Sequence, residues 1–259
     1  MSQDSITRRK RLRGWLVVGF RNRITKPLAQ RIPVSVLRRT HRLRRRVRPE
    51  GYTDANPFAL VDVDPDRIER SLLEAAPPWP QWGRVVGGDW DQWWKSFDER
   101  GVPKGIEQRF IEGKPWPETA LYDAYVDQLE RFGNAWEYTS IDGFEQRCRE
   151  VERLYESIRT KGYRRQAELR DDGNTIGTRA DEINVDIGRD GTVYWRTYGQ
   201  HRLAIAKLLD AESVPVLVHR RHRRWQEVRD QVREQGRDAV NEAYRDHPDL
   251  GDIDRRGPS

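Results

Sequence analysis

The sequence predicts an α+β protein: a small mixed sheet with flanking helices over about residues 52–222, interrupted by a tryptophan-rich helical insertion over about 76–143. Three observations predict it. Glu182-Ile-Asn-Val-Asp-Ile-Gly188 alternates apolar and polar residues with the period of a strand. Val193–Tyr198, Gly199, Gln200–Leu209 and Ser213–Val218 read in turn as strand, sharp turn, helix and strand. Residues 120–132 and 144–161 repeat apolar side chains every three or four positions, as amphipathic helices do.

The first element in chain order is a basic arm, residues 1–48. It holds 16 Lys or Arg against one acid, Asp4, a charge of +15 that leaves −9 for the rest. Arg8–Arg11 precedes an apolar run, Trp15–Phe20, and Leu43–Arg46 closes the arm. That run is too short to cross a bilayer, which takes about 20 residues, and no small-residue cleavage site follows it. Three readings stand side by side: a segment lying on an anionic membrane surface, a grip on nucleic-acid phosphates without sequence preference, or a solvated tail paired with the acidic body.

Val61–Ile68 is an opening strand and turn, and Glu69–Ala75 continues as a short helix stopped by Pro77-Pro78. Trp79, Trp82, Trp90, Trp93, Trp94 and Trp116 follow, with Gly87–Trp90 as a turn. Asp89 and Asp91 are placed to cap a helical turn at Trp93–Phe97. The tryptophans read as core material, or as a platform on which a base or sugar stacks. Pro117-Glu-Thr119 opens the helix 120–132, with Leu121, Tyr125 and Leu129 on one face. Helix 144–161 gathers Cys148, Val151, Leu154, Tyr155 and Ile158 and ends at Gly162.

Arg170–Thr178 is a loop by composition. Strand 182–188 turns at Arg189-Asp-Gly191 into Val193–Tyr198, leaving Asp181 and Asp190 as turn residues. His219 and His222 sit among Arg220–Arg224, where cationic repulsion opposes a zinc site. They extend a positive wall or face solvent. Arg224–Tyr244 alternates Arg with acids, as a solvated helix does, and the tail after Pro248 reads as disordered.

An apolar fraction of 36% against 35% charged residues implies an aromatic core inside a charged shell. The single Cys148 excludes an internal disulfide and fits a cytoplasmic location, peripheral to a membrane if the arm binds one.

The chemistry concentrates at Gly199-Gln200-His201-Arg202. A helix start carries unpaired N–H groups and partial positive charge, so it favours an anion. Gly199 admits a ligand close to the backbone, Arg202 can grip phosphate with two donors, and His201 can donate a hydrogen bond or a proton. The plainer alternative is a core strand–helix–strand unit whose His201 and Arg202 merely solvate the helix start. If a phosphoryl group is transferred, Glu182 or Asp186 on the polar face of the preceding strand is the candidate carboxylate, with Mg²⁺ bridging phosphate oxygens; the plainer alternative is that this face is simply solvated.

The block from about Phe144 to Val218 resembles the ParB/sulfiredoxin-like nucleotide-binding superfamily. Glu152–Tyr163 is similar to its "L-x-x-S-I-x-x-x-G" helix, with Ser157, Ile158 and Gly162 in the characteristic positions. Gly199–Arg202 with Ser213-Val-Pro-Val216 is similar to its "G-x-x-R…IPV" phosphate-binding segment. The resemblance implies ATP or CTP with Mg²⁺, used for phosphoryl transfer or as a conformational switch. Gln200 stands where sulfiredoxins carry their reactive cysteine, which opposes sulfinic-acid reduction. No long helix-turn-helix region follows Val218, which opposes plasmid partitioning. The alternatives are a nucleic-acid-binding accessory protein, using Arg202 and the arginine-rich ends, and a membrane-surface protein.

Overall fold

The computed structural model describes residue 28 and residues 31–73, 81–169 and 175–254. Arg8–Arg11, Trp15–Phe20, Pro77-Pro78, Trp79 and residues 170–174 and 255–259 lie outside them.

The protein is α+β. Among the described residues seven strands build one mixed sheet: β1 (Leu60–Val63), β2 (Arg70–Leu72), β3 (Arg84–Val86), β4 (Trp94–Ser96), β5 (Ile183–Ile187), β6 (Val193–Trp195) and β7 (Val214–His222). Their order is β1-β7-β5-β6-β2-β4. The nine-residue β7 organises it. Along one edge it pairs in parallel with β5; the other edge is shared by β1, antiparallel to Val214–Leu217, and β3, parallel to Arg220–His222. β5 and β6 form the predicted hairpin, and β2 joins β6 in parallel.

The longer helices are α1 (Val34–Val47), α2 (Gly101–Phe110), α3 (Ala120–Phe132), α4 (Gly143–Lys161), α5 (Gln200–Leu208) and α6 (Arg223–Gln235). α5 carries Leu203 and Ile205 into the core against Ile183, Val185 and Val216, while α2 and α4 pack on its other sides. Helices α3 and α4 follow the apolar spacing of the sequence, and Gly133 and Gly162 end them in positive-φ backbone.

Several expectations are corrected. Within the expected helix Glu69–Ala75, of which Glu74 and Ala75 lie outside the described residues, Arg70–Leu72 is strand β2, because Arg70 and Ser71 pair with Tyr194 and Trp195, partners far away in sequence. The tryptophan-rich stretch is not purely helical, since it contributes β3 and β4 to the sheet. Trp93–Phe97 is not a helical turn: Trp94–Ser96 pairs with β2, and the 3₁₀ turn lies earlier, at Trp90–Gln92. Asp89 makes no cap there. Asp91 is buried and receives the Arg189 N–H and guanidinium at 2.7–3.1 Å. Burial alone would raise the Asp91 carboxyl, but those donors hold it down at about 2. Trp116, Trp195 and Trp225 are core residues, whereas Trp93 and Trp94 are exposed.

The C-terminal region differs most. α6 stops at Gln235 before Gly236, and Trp225, Arg229 and Val232 on it are buried. The segment after Pro248 is ordered to Asp254, with Asp249 and Leu250 buried. Charge composition suggested solvent, but these charges neutralise one another inside. Arg221 holds Asp249, and Arg229 holds Asp54, Asp249 and Asp252. Burial pushes Asp54 and Asp249 up, and the arginines outweigh it, leaving both well below the ordinary carboxylate range.

Candidate functional site

Gly199 turns the chain from β6 into α5 in left-handed backbone, at φ 79°. A Cβ there would lie 2.7 Å from the Ile183 Cα, so it is strand β5 that needs the missing side chain, rather than an approaching ligand. No side chain caps α5 and no acid lies in its first turn. The first bond within the helix is from the Leu203 N–H to the Gly199 carbonyl, which leaves the N–H groups of Gln200, His201 and Arg202 without intrahelical partners.

A cavity of about 380 Å³ opens on that helix start. Tyr198, Gly199, His201 and Arg202 form one wall, and Arg147, Glu150, Val151 and Leu154 of α4 form the other. Gln166 and Asp181 complete the lining. The α4 residues fall on one helical stripe, with spacings of three, one and three. Arg147 pairs with Glu150 at 3.1 Å and lies over the Trp136 ring, 5.2 Å from its centroid.

His201 is half-buried, edge-on to Trp136 with ring centroids 5.0 Å apart. Burial, followed by the charges of Arg147 and Arg202, pushes its pKa down to about 3. The imidazole is therefore neutral at physiological pH and acts as a hydrogen-bonding group rather than a cationic proton donor. Its Nε2 is buried without a hydrogen-bond partner. Gln200 does not line the cavity.

Arg202 reaches the cavity, but its guanidinium is anchored from behind, 3.4 Å from Glu182 Oε2. Glu182 Oε1 accepts the Gln166 N–H at 2.8 Å. Burial raises the Glu182 pKa, against Gln166, Arg202, Arg179 and Arg165, which lower it. Arg202 and Leu154 also border a smaller hollow with Ser157, Ile158, Gly162 and Tyr163. The two segments that carry the family resemblance thus meet around one guanidinium.

Asp186 lies elsewhere. It is fully buried in β5, and its Oδ2 accepts from Arg196 at 2.6 Å and Arg220 at 2.9 Å. A bulge in the β5–β7 pairing, where Val185 faces Val218 but Asp186 faces Arg220, leaves His219 as the extra residue beside it. The polar face of β5 is accordingly an interior layer, not a solvated face, because arginines of β7 and of the turn after β6 meet Asp186 there. Likewise His219, Arg220, Arg221 and His222 are buried in β7 and do not line the cavity at the start of α5.

Neither Glu182 nor Asp186 lines the cavity; its carboxylates are Glu150 and Asp181. Among the described residues no three His, Cys, Asp or Glu gather as a metal-ligand set. Sequence reading missed Arg147, Glu150 and Tyr198 as site residues. The signal for the first two was their place on the α4 stripe beside Val151 and Leu154. No family model matches the chain, and no curated protein or solved structure matches it.

Proposed function

We propose that the chain binds a nucleoside triphosphate, ATP or CTP, with its phosphates at the start of α5, on a fold of the ParB/sulfiredoxin-like kind. The observation that carries this reading is the cavity on an uncapped, acid-free helix start, flanked by Arg147 and Arg202. Its volume falls within the usual range for small-molecule sites, roughly 300–1,000 Å³. Phosphate oxygens would take the free N–H groups of residues 200–202 and the outer side of the Arg202 guanidinium. The neutral His201 would give its unpartnered Nε2, and the exposed Tyr198 ring offers a stacking surface for the base. The helix 143–161 packed beside the β5–β6–α5–β7 unit supports the family assignment.

Mg²⁺ in such sites is held mostly by phosphates, with one or two carboxylates. The residues fit that demand modestly: Glu150 and Asp181 line the cavity, Glu150 beside Arg147, whereas Glu182 and Asp186 do not line it and are engaged by Arg202, Arg196 and Arg220. Glu182 serves this site as a positioning residue for Arg202. With Glu150 paired to Arg147 and both sequence-predicted carboxylates held by arginines, binding used as a switch is better supported than phosphoryl transfer. The nucleic-acid alternative loses part of its basis, because Arg220, Arg221 and Arg229 are buried against aspartates.

The test is thermal melting with ATP or CTP, each with and without Mg²⁺. At least one should raise Tm for the wild type. The double variant Glu182→Gln with Arg202→Gln exchanges the ion pair for two amides and should fold without giving the shift. A shift of the same size in the double variant would overturn the proposal, as would no shift in the wild type.

A further inference from the structure

Helix α1 presents two faces with opposite commitments. Its inner face is locked to the body: Val34 and His41 are buried, and His41 Nε2 donates to the Thr53 carbonyl at 3.0 Å. Gly83 makes room for that ring, since a Cβ at 83 would come within 2.6 Å of it. On the outer face Val36, Leu43 and Val47 are 50%, 64% and 73% exposed. With Thr40 they stand at i, i+4, i+7 and i+11, one stripe along the helix. Arg39 and Arg46 border it on one side and Arg44 on the other, all exposed. From Arg31 to Arg48 there are eight arginines and no acid, and no carboxylate of the described residues pairs with Arg39, Arg44 or Arg46.

We propose that this outer face of α1 docks on an anionic phospholipid surface, in the plane of the interface. Both halves of the pattern are needed to choose that partner. An apolar stripe sinks into the boundary between headgroups and acyl chains, while arginines beside it meet lipid phosphates. A nucleic-acid backbone would use the arginines and leave Val36, Leu43 and Val47 in water, so the stripe favours lipid. The helix arrives already folded and anchored through His41, which removes the ordering cost that an unfolded peptide meets on binding.

The experiment is flotation of the full-length protein with vesicles of neutral phosphatidylcholine, or of phosphatidylcholine mixed with phosphatidylglycerol. The wild type should float with the mixed vesicles and not the neutral ones. Leu43→Asp with Val47→Asp should lower partitioning at least roughly tenfold, and Arg39→Gln with Arg46→Gln should lower it on anionic vesicles only. Because these side chains are exposed, both variants should melt at the wild-type temperature, which separates lost docking from lost fold. Flotation unchanged by the Asp pair would overturn the proposal. So would absence of flotation, whether the wild type instead retards duplex DNA in a gel or self-associates through this face in sedimentation.

Discussion

His219 turns its Nδ1 toward Asp186 Oδ1 at 3.9 Å, while its Nε2 accepts the Gln81 N–H at 3.1 Å. That second bond fixes the tautomer, because a nitrogen that accepts cannot carry the proton. The neutral ring therefore points Nδ1–H at the carboxylate. Burial lowers its pKa to about 4; Asp186 opposes the shift, and Arg196 and Arg220 add to it.

A pH dependence follows. His219 and His201 both have folded pKa values below the ordinary histidine range, so the unfolded chain takes up protons first as pH falls. Their contribution to stability is complete above pH about 6.5 and declines toward the folded values of about 4 and 3. Urea unfolding midpoints should fall over that window. His219→Gln, whose amide can accept from Gln81 and donate to Asp186, should flatten the decline; an unchanged slope would remove His219 from the account.

A second acid transition should follow at lower pH. Asp54 and Asp249 have folded pKa values well below the ordinary carboxylate range, so their contribution is present above pH about 4 and lost as pH falls further. Asp249→Asn takes from buried Arg221 its paired carboxylate and from Arg229 one of three, and should cost about 3–5 kcal/mol. Its unfolding free energy in urea, compared with wild type at pH 7, measures this directly.

Gly199→Ala should be destabilising at the turn that builds the cavity. Left-handed backbone disfavours a side chain, and the new methyl would press on β5. A cost of at least about 2 kcal/mol is expected, read as a drop in Tm. A variant as stable as wild type would mean that β5 can yield there.

Cys148 should be silent toward thiol reagents in the native protein. It is buried on α4, and burial, with Glu152 adding to it, pushes its pKa up to about 12. Labelling should proceed at the rate of unfolding; rapid native labelling would show that α4 opens locally.

Those elements that the sequence declared were the ones whose information is local. The spacing of Leu121, Tyr125 and Leu129, the alternation from Ile183 to Ile187, and Gly199 between strand and helix each specify their own geometry. β2 was misread because nothing in Arg70-Ser-Leu72 announces a strand; its conformation comes from Tyr194 and Trp195. The corner at Gly199 was legible, but its opposite wall was not, since Arg147 and Glu150 look like surface charges until α4 is placed beside α5. The deepest misreading concerned charge. An Arg-rich, Asp-rich sequence suggests a wet exterior, yet Arg220 with Asp186 and Arg221 with Asp249 neutralise each other inside.

That interior layer bears on how the chain can be made. The second half of β7 is cationic, and its neutralising groups are spread along the polypeptide: Asp186 precedes it, while Asp249 comes later. During vectorial synthesis the sheet centre stays electrically unfinished until residue 249 has been translated. A chain cut after residue 246 should therefore stay loosely assembled and open to protease, whereas the same cut after residue 254 should leave it resistant.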